Sequence, residues 1–70
     1  MHEITYKCGL DKAPHRVEKT EIVEDKYASQ LQVIFRGRNR EDAWQDWVKT
    51  RYPSCNYKKG SGSFSCKKIK

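Results

Sequence analysis

The residues of this chain with the widest chemical reach are three cysteines, Cys8, Cys55 and Cys66, and two histidines, His2 and His15. Cys8, His15, Cys55 and Cys66 together have the donors of a Cys₃His zinc site. Structural zinc sites, however, usually draw their ligands from close pairs roughly two to four residues apart. No two of these four are that close, so neither a metal nor any other cofactor is expected. A nucleophilic cysteine needs a base and a group to orient that base. His15, or His2 near the start of the chain, would have to serve, and neither stands beside a third group. An enzyme, or any small-molecule substrate, is therefore not expected. An odd cysteine count and the lack of an apolar stretch in Met1 to Leu10 fit a reducing, cytoplasmic setting, in the producing cell or a host. The thiols are then expected as small buried hydrophobes.

Two other groups could do chemistry of recognition. Trp44 and Trp47 could stack bases or anchor an interface. Their spacing beside Ala43 and Val48 fits a core stripe better, since a chain with only Leu10 and Leu31 as leucines needs large rings to fill its interior. Gly60-Ser61-Gly62 is not a phosphate loop, because no Gly-Lys-Ser/Thr ending and no helix follow it. The basic residues carry the stronger signal. The net charge is +6, and residues 36–70 hold ten basic residues against three acidic ones, while residues 1–35 hold five against six. Arg36, Arg38, Arg40, Arg51, Lys58, Lys67 and Lys68 are the candidate contacts for a polyanion. The plain alternative is a solubilising surface.

Seventy residues make one small domain, 1–70, near the lower limit for a self-sufficient core. The longest apolar run is Val33-Ile34-Phe35, far short of a membrane span. Glu3 to Cys8 alternates with Ile4, Tyr6 and Cys8 on one side, which predicts a strand. Gly9 to Pro14 is loop. Residues 15–24 predict a short or bulged strand, because Val17, Ile22 and Val23 do not share a parity. Glu24 to Ser29 reads as a turn, and residues 30–36 as a strand with Leu31, Val33 and Phe35 on one face.

The chain from Asn39 to Pro53 predicts a helix. Asn39 is its N-cap toward the amide of Asp42, and Glu41 and Asp42 oppose Lys49 and Arg51 along the dipole. Trp44, Trp47 and Val48 face in, and Gln45, Asp42, Asp46 and Lys49 face out. A hairpin turning at Gly60-Ser61 sets Tyr57 opposite Phe64 and Cys55 opposite Cys66, close enough for a bridge if the compartment allowed one. The expected fold is α+β: a small two-layer domain, an antiparallel sheet with one helix on one face, in the order β-β-β-α-β-β, or ββαββ without the second strand.

The sheet face away from that helix would carry Gln30, Gln32, Arg36, Asn56, Lys58, Ser63, Ser65 and Lys67. It has amines and guanidinium groups for phosphates but no aromatic ring for base stacking. Two functions fit. One is a non-enzymatic module that binds nucleic acid or a nucleoprotein through phosphates and shape rather than sequence. The other is a small protein-binding inhibitor or adaptor, of the kind phages encode against host nucleoprotein machines such as defence systems. Either could work as a monomer or small homo-oligomer.

Overall fold

The computed structural model describes residues 1–69. Five elements follow one another: strand β1 (His2–Gly9), strand β2 (Arg16–Val23), helix α1 (Asp25–Arg36), helix α2 (Arg40–Arg51) and strand β3 (Ser63–Lys68). The domain is α+β as expected, but it has two helices, and the order is ββααβ. The sheet is antiparallel with β1 in the middle, in the order β2-β1-β3.

The first correction concerns residues 24–36. Residues 25–36 form one helix, with Glu24 as its N-cap, not a turn and a strand. Leu31, Val33 and Phe35 alternate, but Leu31 and Phe35 also belong with Ala28 to a helical stripe, and those three are the helix's buried residues. Val33 is 75% exposed. No Gly or Pro interrupts residues 25–36, so nothing local opposes a helix. The small Ala28 carries the missing position of the stripe and is easily read as surface.

The second correction is the hairpin. Residues 55–58 do not pair with 63–67. Instead β3 pairs with β1, setting Tyr6 opposite Phe64 and Cys66 opposite Ile4. Tyr57 makes only an isolated bridge to Leu10, and the three cysteines are free. β1 carries Ile4, Tyr6 and Cys8, all buried. Placing it centrally flanks that apolar face on both sides, which a separate two-stranded hairpin would not do. β2 also departs from expectation, since its register with β1 is unbroken from His2↔Val23 to Gly9↔Arg16. The parity conflict is resolved by leaving Ile22 on the outer side, where it is exposed.

Tyr6 is the hub of the core. Its ring stacks on Trp47 at 5.0 Å and meets Phe35, Phe64 and Trp44 edge-on at 5.3, 5.4 and 6.1 Å. Both helices lie on this side of the sheet. Burial of the phenol pushes the Tyr6 hydroxyl pKa up to about 12. Trp44, Trp47 and Val48 are buried as the α2 pattern requires. Two details of α2 differ from expectation. The Asn39 side chain makes no cap hydrogen bond, and its carbonyl instead accepts the Ala43 amide at 3.1 Å. Gln45 is half-buried, and its Oε1 accepts the Tyr57 amide at 3.2 Å.

Residues 57–62 are fastened to α2 by one carboxylate. Glu41 accepts the Tyr57 hydroxyl at 2.8 Å and the Gly60 amide at 2.9 Å, and the Tyr57 hydroxyl accepts the Gly62 amide at 2.9 Å. Tyr57 stacks on Trp44 with ring centroids 6.0 Å apart. Gly62 lies so close that a Cβ there would overlap the Trp44 indole. Gly62→Ala is therefore expected to cost about 1–3 kcal/mol by overpacking, read as a lower denaturation midpoint with an unchanged slope.

Candidate functional site

The outward sheet face follows from the registers. β1 contributes Glu3, Thr5 and Lys7, β2 contributes Glu18, Thr20 and Ile22, and β3 contributes Ser63, Ser65 and Lys67. This differs from the expected basic face. Gln30, Gln32 and Arg36 lie on α1, and Asn56 lies in a loop. Along the middle of the sheet the charges alternate, with Lys7 between Glu18 and Ser63 and Glu3 between Ile22 and Lys67. Thr5 and Thr20 join hydroxyls at 3.1 Å between them. The middle of the face is thus hydroxyl-rich and near neutral, and its outward positions carry no aromatic ring.

Positive charge gathers at one end instead, where β1 finishes and β3 begins. Arg16 is the cross-strand partner of Gly9 on one side, and on the other the Lys58 amide donates to the Gly9 carbonyl at 2.9 Å. Arg16 and Lys58 line a depression of about 480 Å³ with Cys8, Gly9, Leu10, His15 and Ser61. Around the corner, Arg36 and Arg40 line a second hollow of about 300 Å³ with Phe35, Gly62, Ser63 and Phe64. The consecutive residues Ser61, Gly62 and Ser63 connect the two. Lys7 stands opposite Ser63.

Of the seven residues singled out in the sequence, Arg36, Arg40 and Lys58 share this end. Arg38 sits nearby at the turn between the helices, lining a groove with Val33, Ile34, Asp42 and Asp46. The other three lie elsewhere. Arg51 covers the Trp47 ring at 4.5 Å from its centroid. Lys67 is opposite Glu3, and Lys68 opposite His2 at the far end of β1. Lys70, one of the ten basic residues of the second half, lies outside the described residues. Lys7 and Arg16 were missed because they belong to the half of the chain with a net negative charge. Strand alternation does place Lys7 outward, but nothing local reveals that Arg16 faces Gly9.

Two of the acids near this end are held by hydrogen bonds, and a third, Glu18, stands opposite Lys7. Glu41 holds Tyr57 and Gly60, as above. Asp11 accepts the Asn56 backbone amide at 2.7 Å and its side-chain amide at 2.9 Å. Among the described residues the one ion pair joins Asp25 to the amino terminus, and the same carboxylate is hydrogen-bonded to His2 Nδ1, both at 2.7 Å. No described lysine or arginine is ion-paired with a carboxylate.

The Asn56 backbone bond, and then its side-chain bond, hold the Asp11 carboxyl below its usual 3.8. A depressed folded-state pKa stabilises the fold above the unfolded value and loses that contribution as pH falls through the folded value. The midpoint of the Asn56 amide proton shift on acidification is therefore expected below pH 3.8. A midpoint at or above that pH would show that the clasp is absent.

Cysteine chemistry finds little support here. Burial pushes the Cys8 thiol pKa up, which disfavours the reactive thiolate. Among the described residues, no hydrogen bond joins its sulfur to His15, and the Cys55 thiol donates to the Ala13 carbonyl at 3.6 Å. No group of three or more His, Cys, Asp or Glu among the described residues is placed to hold a metal ion. No helix of the described residues is long and apolar enough to cross a membrane.

The chain matches no family model, and no curated protein or solved structure matches it.

Proposed function

We propose that the protein is a non-enzymatic binding module for a polyanion, nucleic acid or a nucleoprotein. It would be held at the cationic end formed by Lys7, Arg16, Arg36, Arg38, Arg40 and Lys58. The supporting observation is that, among the described residues, none of these cations is ion-paired with a carboxylate, while Asp11 and Glu41 are held by hydrogen bonds from Asn56, Tyr57 and Gly60. Such cations can neutralise phosphates and release counterions. With no ring on the outward sheet positions, the contact would be to backbone and shape, with weak sequence preference.

Titration with duplex and single-stranded oligonucleotides at several salt concentrations tests this. Affinity should fall linearly in log–log form with salt, with a slope of about −4.5 to −5.4 on duplex and about −3.5 to −4.2 on single strands if five or six phosphates are met, and should change little between unrelated sequences. Absence of binding at low salt would remove nucleic acid as the partner.

One observation favours the protein-binding alternative, an inhibitor or adaptor acting on a nucleoprotein machine. α1 exposes Val33 and Ile34 beside Asp42 and Asp46 of α2. Apart from Arg38 on its edge, that apolar strip with acidic neighbours would contribute nothing to phosphate binding.

A further inference from the structure

We propose that the depression over Gly9 is a subsite for one phosphate group. The inference rests on the polyanion function and identifies where a phosphate of that partner would sit.

Gly9 is the floor. It occupies the outward parity of β1, in line with Glu3, Thr5 and Lys7, and its neighbours on either side are Arg16 and Lys58. A Cβ at Gly9 would point toward Ser61 Oγ at 3.3 Å and Lys58 Cβ at 3.5 Å. A side chain here would therefore crowd the wall that Ser61 and Lys58 form. Glycine, buried at the base of the depression, avoids that crowding and keeps Lys58 and Arg16 on the rim of one hollow.

The walls are fixed by local bonds. Ser61 Oγ accepts the Gly9 amide at 2.8 Å and donates to the Lys58 carbonyl, so the segment bearing Lys58 is fastened to the strand end. On the other wall, His15 is held at φ 71°, a left-handed conformation uncommon for a residue with a side chain. Its carbonyl accepts the Leu10 amide and its amide donates to the Lys12 carbonyl, both at 2.8 Å. This closed turn delivers Arg16 to its place opposite Gly9. Strain of this kind persists where the surrounding structure enforces it, and it is common in ligand clamps.

Charge favours this hollow over its neighbour. Arg40 Nη1 in the second hollow already donates to the Gly37 carbonyl at 3.2 Å. Arg16 and Lys58 have no side-chain hydrogen bond among the described residues. The acid of the adjoining turn, Asp11, is taken up by Asn56. Glu18, one row along the sheet, lies beside Lys7. The site offers a fork of guanidinium donors and an ammonium group across a glycine floor, which suits a tetrahedral oxyanion.

Amide chemical shifts report on the site directly. Inorganic phosphate is titrated first, then a short single-stranded oligonucleotide. The proteins are the original chain, an Arg16→Gln/Lys58→Gln variant and an Arg36→Gln/Arg40→Gln variant. All four substituted residues are exposed, and amide dispersion checks that each variant is folded. Phosphate should give saturable shifts at Gly9, Arg16 and Lys58 in the original chain and the Arg36/Arg40 variant, with affinity at least about tenfold lower in the Arg16/Lys58 variant.

Equal phosphate affinity in the Arg16/Lys58 variant, or shifts confined to Arg36 and Arg40, would overturn the subsite. Oligonucleotide binding that persists alongside such a result would leave the polyanion function standing. Phosphate saturating at Gly9 with no oligonucleotide bound would support a subsite for small phosphates and end the nucleic-acid function.

Discussion

Trp44→Ala is expected to remove about 3–5 kcal/mol from the stability of the fold. The Trp44 side chain is 1% exposed and touches Tyr6, Phe35, Trp47 and Tyr57. Truncating a buried tryptophan costs about 3–5 kcal/mol, transfer and cavity together. A domain of this size has about 4–10 kcal/mol in total, so the loss runs from about a third of the total to all of it. The neighbours cannot collapse into the void freely, because Tyr57 is held by Glu41 and Tyr6 by two adjacent strands. Urea denaturation followed by circular dichroism measures the effect. Trp47→Ala should cost less. The Trp47 indole N–H is buried without a hydrogen-bond partner, so its removal also relieves a desolvation cost of about 1–3 kcal/mol. A Trp44→Ala protein as stable as the original would mean that the ring is not packed in the core.

Reversing Arg36, Arg40 and Lys58 to glutamate should leave the domain folded and reduce oligonucleotide affinity by about 100- to 1,000-fold near 0.1 M salt, if each cation meets one phosphate. The same change should flatten the salt slope by about 2 to 3. All three side chains are exposed and none is ion-paired with a carboxylate, so stability should move little. A control that reverses two other cations, Lys67 and Lys68, which lie along β3 toward its far end, should lose much less for each charge reversed. Equal losses per reversed charge in the two variants would mean that binding follows net charge and not the cationic end. That control separates a placed surface from a solubilising one, which composition alone could not do.

Three elements were legible in the sequence because their signals are local. The alternation of Ile4, Tyr6 and Cys8 specifies β1 and its inward face. Pro14 and Gly9 bound the loop before β2. The α2 stripe of Trp44, Trp47 and Val48, with acids in the first turn and bases in the last, specifies a helix and its buried side. Lysine and ring orientation after Pro53 also came out as expected, with Tyr57 and Phe64 buried and Lys58 and Lys67 exposed. The pairing behind that orientation was different. Parity along a strand is a property of one segment, so it survives even when the partner strand is misassigned.

α1 was misread because two periods fit the same three residues. Leu31 and Phe35 satisfy both a strand and a helix, and only Ala28 and the exposure of Val33 decide between them. The β3 pairing was misread because a glycine turn favours the nearest partner, and Gly60 does adopt φ 82° in a turn. The nearest partner lost to β1, whose apolar face needed cover on both sides.

The sequence by itself determined that the chain is a small basic α+β domain with aromatic filling and lysines in water. Hydrophobic period and charge count are written residue by residue. Only the tertiary structure decided which cations stand together. Arg16 and Lys58 are forty-two positions apart, and they meet across Gly9 because β1 takes a partner on each edge. Long-range pairing of that kind depends on which apolar surfaces compete for burial, and no single segment encodes the outcome.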